Sequence, residues 1–450
     1  MSWMKDIYAW TTTWLPQSQQ SSQEKEGNHG QNLAYYRAVW KLKKEESFHE
    51  YVKSNSIDEG ETAQILVPGT TAFLSHDGVT KEMESFCERW MSGNIYRANE
   101  VGIMRMNSKM WEDLSLPFMS LNASVENHAK LRSFLDKHLG SGGNWNENDI
   151  FNHVSDYLDG FIKKGIENKF RIDEDIYAWT TTYLHKVMLN INLTYDEAKH
   201  FTEMQMLFRK AMFLPEVALK RNLISKRLQL PKIIDWRKQM IEKYKEILTS
   251  QYDSLKSDDT FLHVLASGFL DALMIAGGAS VPLAIHNALA VIYSSKSPTN
   301  SELEINNDNL PNFVWEILRF YPVVNVIPYY TCNQKKKWRL LTISTALHDP
   351  KVWGNDVHEF KLRDISKYHE SSLIWGEPML DKENPANNRY CPAKDLSYQM
   401  ILNFMKAFLE KREHLKIDQS IKDSIQITSF ITGLNQVSNW TFEINSENEC

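Results

Sequence analysis

The sequence predicts a mainly α-helical protein with a smaller β-rich region and a long central helix. Three observations predict it. Helical apolar patterning dominates from about residue 125 to residue 300. The longest apolar run, FLHVLASGFLDALMIAGGASVPLAIHNALAVIY over 261–293, has the length of a long helix. Short β-like runs bounded by turn residues, AQILVPG and TAFLSHDG early and VVNVIPYYTCNQKKKWRLLTIST over about 322–345, supply the rest. Hydrophobic residues make up 42% of the 450 and charged residues 24%, so a sizeable core is available and wholesale disorder is excluded.

In chain order, residues 1–31 read as a polar lead-in that includes the low-complexity stretch QSQQSSQEKEGNHGQ at 17–31. Residues 32–450 read as one domain. NLAYYRAVWKLKKEESFHEYV, directly after the lead-in, patterns as an amphipathic helix. The octapeptide DIYAWTTT occurs at 6–13 and again at 175–182, where it runs into the helical pattern YLHKVMLNINL. Two copies have no fixed period and make no repeat architecture; a duplicated exon and a docking role both stay open. KAMFLPEVALKRN (210–222) and LQLPKIIDW (228–236) flank a basic segment and read as channel wall, with membrane contact as the alternative. The 261–293 run is long enough to span a membrane. However, it contains His263, Asp271 and His286, and a kink is expected at Gly277, Gly278 and Pro282. It therefore reads as a helix buried on all sides. A loop-rich stretch reaches residue 390, and DLSYQMILNFMKAFLEKREHL closes the helical pattern.

Charge and cysteine usage narrow the class. There are 57 acidic and 51 basic side chains, a net charge of −6, which disfavours a nucleic-acid binder. MSWMKDIYAWTTTWLP is too short and polar for a signal peptide or anchor, so a cytoplasmic protein, with peripheral membrane contact as an option, is expected. Cys87, Cys332, Cys391 and Cys450 lie far apart without a CxxC, which fits a reducing compartment rather than a disulfide framework or zinc site. The 14 histidines show no paired ligand spacing, so no second metal is indicated.

Four features carry the chemistry, in one order along the chain: AGGASV (276–281), WEILRF with Glu316 and Arg319 one helical turn apart, HDPKVWGNDVHEF (348–360), and NNRYCPAKDL with Cys391 opening a helix. Taken alone, Glu316 and Arg319 fit an ordinary surface pair and Cys391 fits a small buried hydrophobe. Just before a helix, though, backbone N–H groups and the helix N-terminus favour a thiolate at Cys391, which suits it to be an axial heme ligand.

In this order the features resemble the cytochrome P450 superfamily. The usual Phe-x-x-Gly-x-Arg-x-Cys-x-Gly loop is absent. SSLIWGEPMLDKENPANNRYCPAKDL (371–396) instead resembles the longer heme loop of the allene oxide synthase, hydroperoxide lyase and epoxyalcohol synthase group, with Trp375 and Gly376 followed by NRYCPAKD at 388–395. SLNASVENHAKLRSFL (120–135) and ALHDPKVWGNDVHEF (346–360) are similar to two further stretches of that group. The resemblance implies the cytochrome P450 fold, with heme b held by Cys391. Arg132 and Arg389 are candidates for the heme propionates, because a guanidinium pairs with a carboxylate in a bidentate fork, with solvent-exposed arginines as the alternative; His128 and Lys394 complete the expected cofactor-binding set. Arg363, in EFKLRD, stands one residue off the register of the arginine that joins Glu316 and Arg319 in a buried ion network.

The central helix points to the reaction. Oxygen-activating members of the superfamily carry an acid–alcohol pair there, and this chain has Ala279 and Ser280. Alanine has no proton to give, and general acid assistance needs a titratable group within hydrogen-bond reach. The resemblance then implies a substrate that already contains an O–O bond: a fatty acid hydroperoxide rearranged without O2, NADPH or a redox partner. The expected product is an allene oxide, an epoxyalcohol or a pair of aldehydes. A monooxygenase, or a redox-neutral rearrangement of another apolar metabolite, is the alternative. The group's asparagine in this helix aligns with Met274, which cannot donate a hydrogen bond. Asn325, in YPVVNVIP, is the candidate to supply the amide, and Asn325, Ser280 and Met274 together form the expected catalytic set.

Overall fold

The computed structural model describes residues 56–58, 62–65, 70–85, 95–97, 125–163, 169–212, 230–294, 304–324, 327–331, 337–383, 388–417, 419–425 and 441–444. It is mainly helical, with two sheets. In chain order the helices are α1 (His76–Glu84), α2 (Val125–Leu139), α3 (Glu147–Lys163), α4 (Asp175–Leu189), α5 (Tyr195–Met212), α6 (Leu230–Gln251), α7 (Asp259–Asp271), α8 (Gly277–Tyr293), α9 (Leu310–Phe320), α10 (Ile365–Ser371) and α11 (Lys394–Glu410). A four-residue helical turn at Ile343–Ala346 ends the expected β-rich run, and another at Pro350–Trp353 breaks up the stretch expected to be loop.

A π-helical turn, Ala272–Ala276, joins α7 to α8. The central helix is thus continuous over Asp259–Tyr293 and irregular just ahead of the expected glycine kink. It is apolar enough to cross a membrane, yet 76% of its most apolar window is buried inside the protein. Packing on several sides explains its composition: α8 packs on α4, α9 and α11, and α7 packs on α2 and α6. The second DIYAWTTT copy forms the start of α4, whose residues from Asp175 to Thr181 are all buried. The copy at 6–13 lies outside the described residues, as do the amphipathic stretch after residue 31 and residues 213–229 of the expected channel wall.

The six-stranded sheet has the order β1 (Ser56–Asp58), β2 (Thr62–Ile65), β3 (Thr70–Phe73), then β7 (Lys337–Leu341), β6 (Ile327–Thr331) and β4 (Ile95–Arg97). Chain neighbours pair antiparallel, whereas β3 and β7 pair parallel, with Thr70 opposite Trp338. Three shorter strands, β5 (Lys169–Arg171), β8 (Leu415–Ile417) and β9 (Thr441–Ile444), form the second sheet with β9 in the middle. A large helical core holds Trp179, Tyr183, Phe269 and Phe404. A smaller core under the first sheet holds Trp315, Trp353, Tyr368 and Met379. The Cys391 loop lies where the two cores meet, since Trp375 and Tyr398 pack against both.

Candidate functional site

The loop ahead of α11 is built by backbone pairing. Gly376 adopts φ +74°, a left-handed conformation that favours glycine, and turns the chain so that Met379 N–H donates to Gly376 O at 2.8 Å. Arg389 N–H donates to Met379 O at 3.2 Å and Cys391 N–H donates to Trp375 O at 2.7 Å. The Trp375 indole N–H reaches Ser397 Oγ on α11 at 2.8 Å, which ties the loop to the helix it precedes. Lys394 Nζ lies 3.5 Å from Glu377 Oε1 and 5.9 Å from the Trp375 ring centre, bracing the same turn.

Arg132 on α2 reaches across to this loop. Its Nη1 donates to Tyr390 O at 2.6 Å and to Asn388 O at 3.3 Å, and its Nε donates to Asp136 Oδ2 at 2.8 Å. The guanidinium also stacks 4.4 Å from the Tyr390 ring centre. Its Nη2 is buried with no hydrogen-bond partner among the described residues. A carboxylate is the group that would satisfy it. Arg389 is buried as well, while His128 lies on α2.

The Cys391 thiol does not sit at a low pKa. Burial pushes it up to about 11, outweighing the Ala393 N–H hydrogen bond and the Arg132 charge, both of which favour the thiolate. The Ala393 N–H and the Arg132 charge act in the direction expected of the helix start, and burial opposes them. A bound cation changes the balance, because a coordinating thiol is deprotonated outright.

One face of the otherwise buried central helix stays accessible. Ala276, Gly277 and Ser280 are partly exposed, one helical turn of a single face, while Gly278, Ala279 and Val281 are buried. Ser280 Oγ donates back to Ala276 O. Met274 is fully buried and does not join this face; its Sδ accepts from Arg237 Nη1 at 3.3 Å. Asp271, the acid that precedes this face in the helix, is paired with Arg237 at 2.7 Å, both side chains fully buried. Asn325 lies outside the described residues.

Glu316 and Arg319 are fully buried rather than a surface pair, joined by two hydrogen bonds of 2.7 and 2.8 Å. Arg363 Nη1 adds a 2.6 Å contact to Glu316 Oε1, and Tyr368 Oη donates to Glu316 Oε2 at 2.8 Å. Arg319 Nη1 donates to Leu347 O and Val357 O, so α9 holds the segment that leads to the Cys391 loop. Sequence reasoning missed Tyr368, whose only signal is its place one turn into α10.

No family model matches the chain, and no curated protein matches it. Solved structures do. P450BioI, crystallised in complex with an acyl carrier protein ligated to hexadec-9Z-enoic acid, superposes with a TM-score of 0.62 at 15% identity, covering 90% of this chain and 99% of that one. A myxobacterial cytochrome P450 in complex with myristic acid superposes with a TM-score of 0.61 at 12% identity, covering 86% of this chain and 94% of that one. The chain has the cytochrome P450 fold. The cytochrome P450 fold implies a heme held by a cysteine thiolate, and the residues here fit such a group. Cys391 presents the soft donor, Arg132 Nη2 is a buried donor suited to a propionate, and the central helix keeps an accessible face free of bulky side chains.

Proposed function

We propose that the protein is a heme-thiolate enzyme that rearranges a fatty acid hydroperoxide without O2, NADPH or a redox partner. Cys391 would hold the heme iron, Arg132 and Arg389 would hold its propionates, and the face of Ala276, Gly277 and Ser280 would meet the reacting group. The observation that carries this reading is the state of acids and alcohols in the central helix. Ala279, where the resemblance expects a proton donor, has none to give, the Ser280 hydroxyl is committed to Ala276 O, and Asp271 is committed to Arg237. Reductive activation of O2 needs protons delivered at this face; a substrate bringing its own O–O bond does not. Bound heme would supply a one-electron route to cleavage of that bond.

A second reading, an O2-dependent monooxygenase acting on an acyl chain, is favoured by the fatty acyl ligands of the two structural neighbours. The two readings separate in one assay. Purified ferric protein is mixed with a fatty acid hydroperoxide, without NADPH or reductase, and the loss of conjugated-diene absorbance is followed. Rapid loss that disappears in Cys391→Ser supports rearrangement. A stable diene beside an intact heme spectrum, with NADPH-dependent turnover of the free fatty acid, sinks it in favour of the monooxygenase.

A further inference from the structure

Two irregularities meet in the central helix. Pro282 lies inside α8 and has no N–H, so Gly278 O, four residues back, loses the donor that position 282 would otherwise supply. Just ahead, the π-turn shifts the hydrogen-bond register, so that Gly277 N–H donates to Ala272 O, five residues back. The carbonyls displaced by these two defects lie in the deepest part of the protein. Leu273 and Met274 are fully buried and Gly278 is buried. A buried carbonyl left without a donor carries the full cost of its lost hydration.

One side chain answers both defects. Gln205, fully buried on α5, places Nε2 2.7 Å from Gly278 O and 2.8 Å from Met274 O, with Leu273 O at 3.3 Å. A primary amide has two N–H groups, which matches the two nearer carbonyls. The approach depends on glycine: a Cβ at 278 would lie 2.9 Å from Gln205 Nε2 and overlap the Leu273 carbonyl oxygen. The same helix segment is held from α6, where Arg237 pairs with Asp271 and touches Met274 Sδ. Gln205 thus replaces a hydrogen bond that the proline removes and another that the π-turn displaces.

We propose that Gln205 is a positioning residue for the accessible face at 276–280. Its amide holds the irregular register that presents Ala276, Gly277 and Ser280 to the cofactor side. The link to catalysis rests on the heme-enzyme reading above; the link between Gln205, the π-turn and Pro282 does not.

A double-mutant cycle tests it on the full chain. Gln205→Met keeps the side-chain length and removes the donors, and Pro282→Ala restores a helix N–H to Gly278 O. Gln205→Met is expected to lower Tm by roughly 3–6 °C alone and by less than half as much beside Pro282→Ala. Equal losses in the two backgrounds overturn the proposal. Should Gln205→Met not fold, Pro282→Ala must rescue it, and a double variant that also fails to fold overturns the proposal. In heme-loaded protein, Gln205→Met is expected to change the affinity of the ferric iron for imidazole at least ~3-fold, with the ferrous-CO thiolate band unchanged. An unmoved affinity overturns the positioning role. Failure of the wild-type chain to take up heme would defeat the enzyme reading instead, because the Tm cycle needs no heme.

Discussion

Arg363 Nη1 lies 2.6 Å from Glu316 Oε1 although 47 positions separate the two residues. The contact closes a buried network in which one carboxylate serves Arg319, Arg363 and the Tyr368 hydroxyl, and in which Lys361 N–H donates to Glu316 Oε1 at 3.1 Å. Two guanidinium groups and one carboxylate leave a positive excess, offset in part by Asp356, whose Oδ1 lies 3.3 Å from Arg363 Nη2. The Arg319 guanidinium, the Arg363 Nη groups and the Tyr368 hydroxyl donate to carbonyl and carboxylate oxygens, which is the condition under which buried charge is tolerated.

Removing the shared carboxylate should therefore be severe. Glu316→Leu leaves Arg319 buried without its ion partner and is expected to cost about 3–5 kcal/mol. Arg363→Ala, at the edge of the network, is expected to cost less. Urea denaturation of the three proteins orders them. A Glu316→Leu variant as stable as the wild type would contradict the network's role.

Arg132 has a double load: it holds the carbonyls of Asn388 and Tyr390, and it offers Nη2. Arg132→Gln is expected to lower the fraction of protein that retains heme several-fold. Arg132→Lys, which keeps the charge without the fork, should fall between. Heme content after gel filtration is the measurement, and full retention in Arg132→Gln would remove this residue from the cofactor site.

His185 makes stability depend on pH. Its Nδ1–H donates to Thr181 O at 2.7 Å, so Nε2 accepts from the Tyr244 hydroxyl at 2.6 Å, and burial pushes its pKa down to about 4. Below an ordinary histidine pKa of 6.5 the unfolded chain takes up a proton that the folded chain refuses. The contribution is complete above pH 6.5 and is lost as the pH falls toward 4. Over that window the wild type should lose about 3 kcal/mol more than His185→Gln. Parallel stability–pH curves for the two proteins would speak against it.

Gly376→Ala probes the turn that positions the cysteine. At φ +74° an alanine costs about 1–2 kcal/mol, and its Cβ would meet Met379 Cε at 3.4 Å. Relaxing the turn moves Trp375 O, the acceptor of Cys391 N–H. A lower Tm together with a shifted ferric heme spectrum is expected, and an unchanged spectrum at unchanged Tm would show that this turn does not set the loop.

The mainly helical class, the buried central helix and the helix carrying Glu316 and Arg319 were legible in the sequence because apolar periodicity is local, written every three or four residues. The same holds for Cys391 beside a helix start. Gly277, Gly278 and Pro282 also announced an irregularity in the central helix, although not the side chain that serves it. Tertiary structure alone decided the partners. Gln205 meets Gly278, Arg237 meets Asp271, and Arg132 meets the Tyr390 carbonyl, each across helices whose order in space no local pattern contains. It also decided how strongly burial opposes the Cys391 thiolate. The chemistry favouring a thiolate is sequence-local, but the burial that opposes it is the sum of everything packed around the loop.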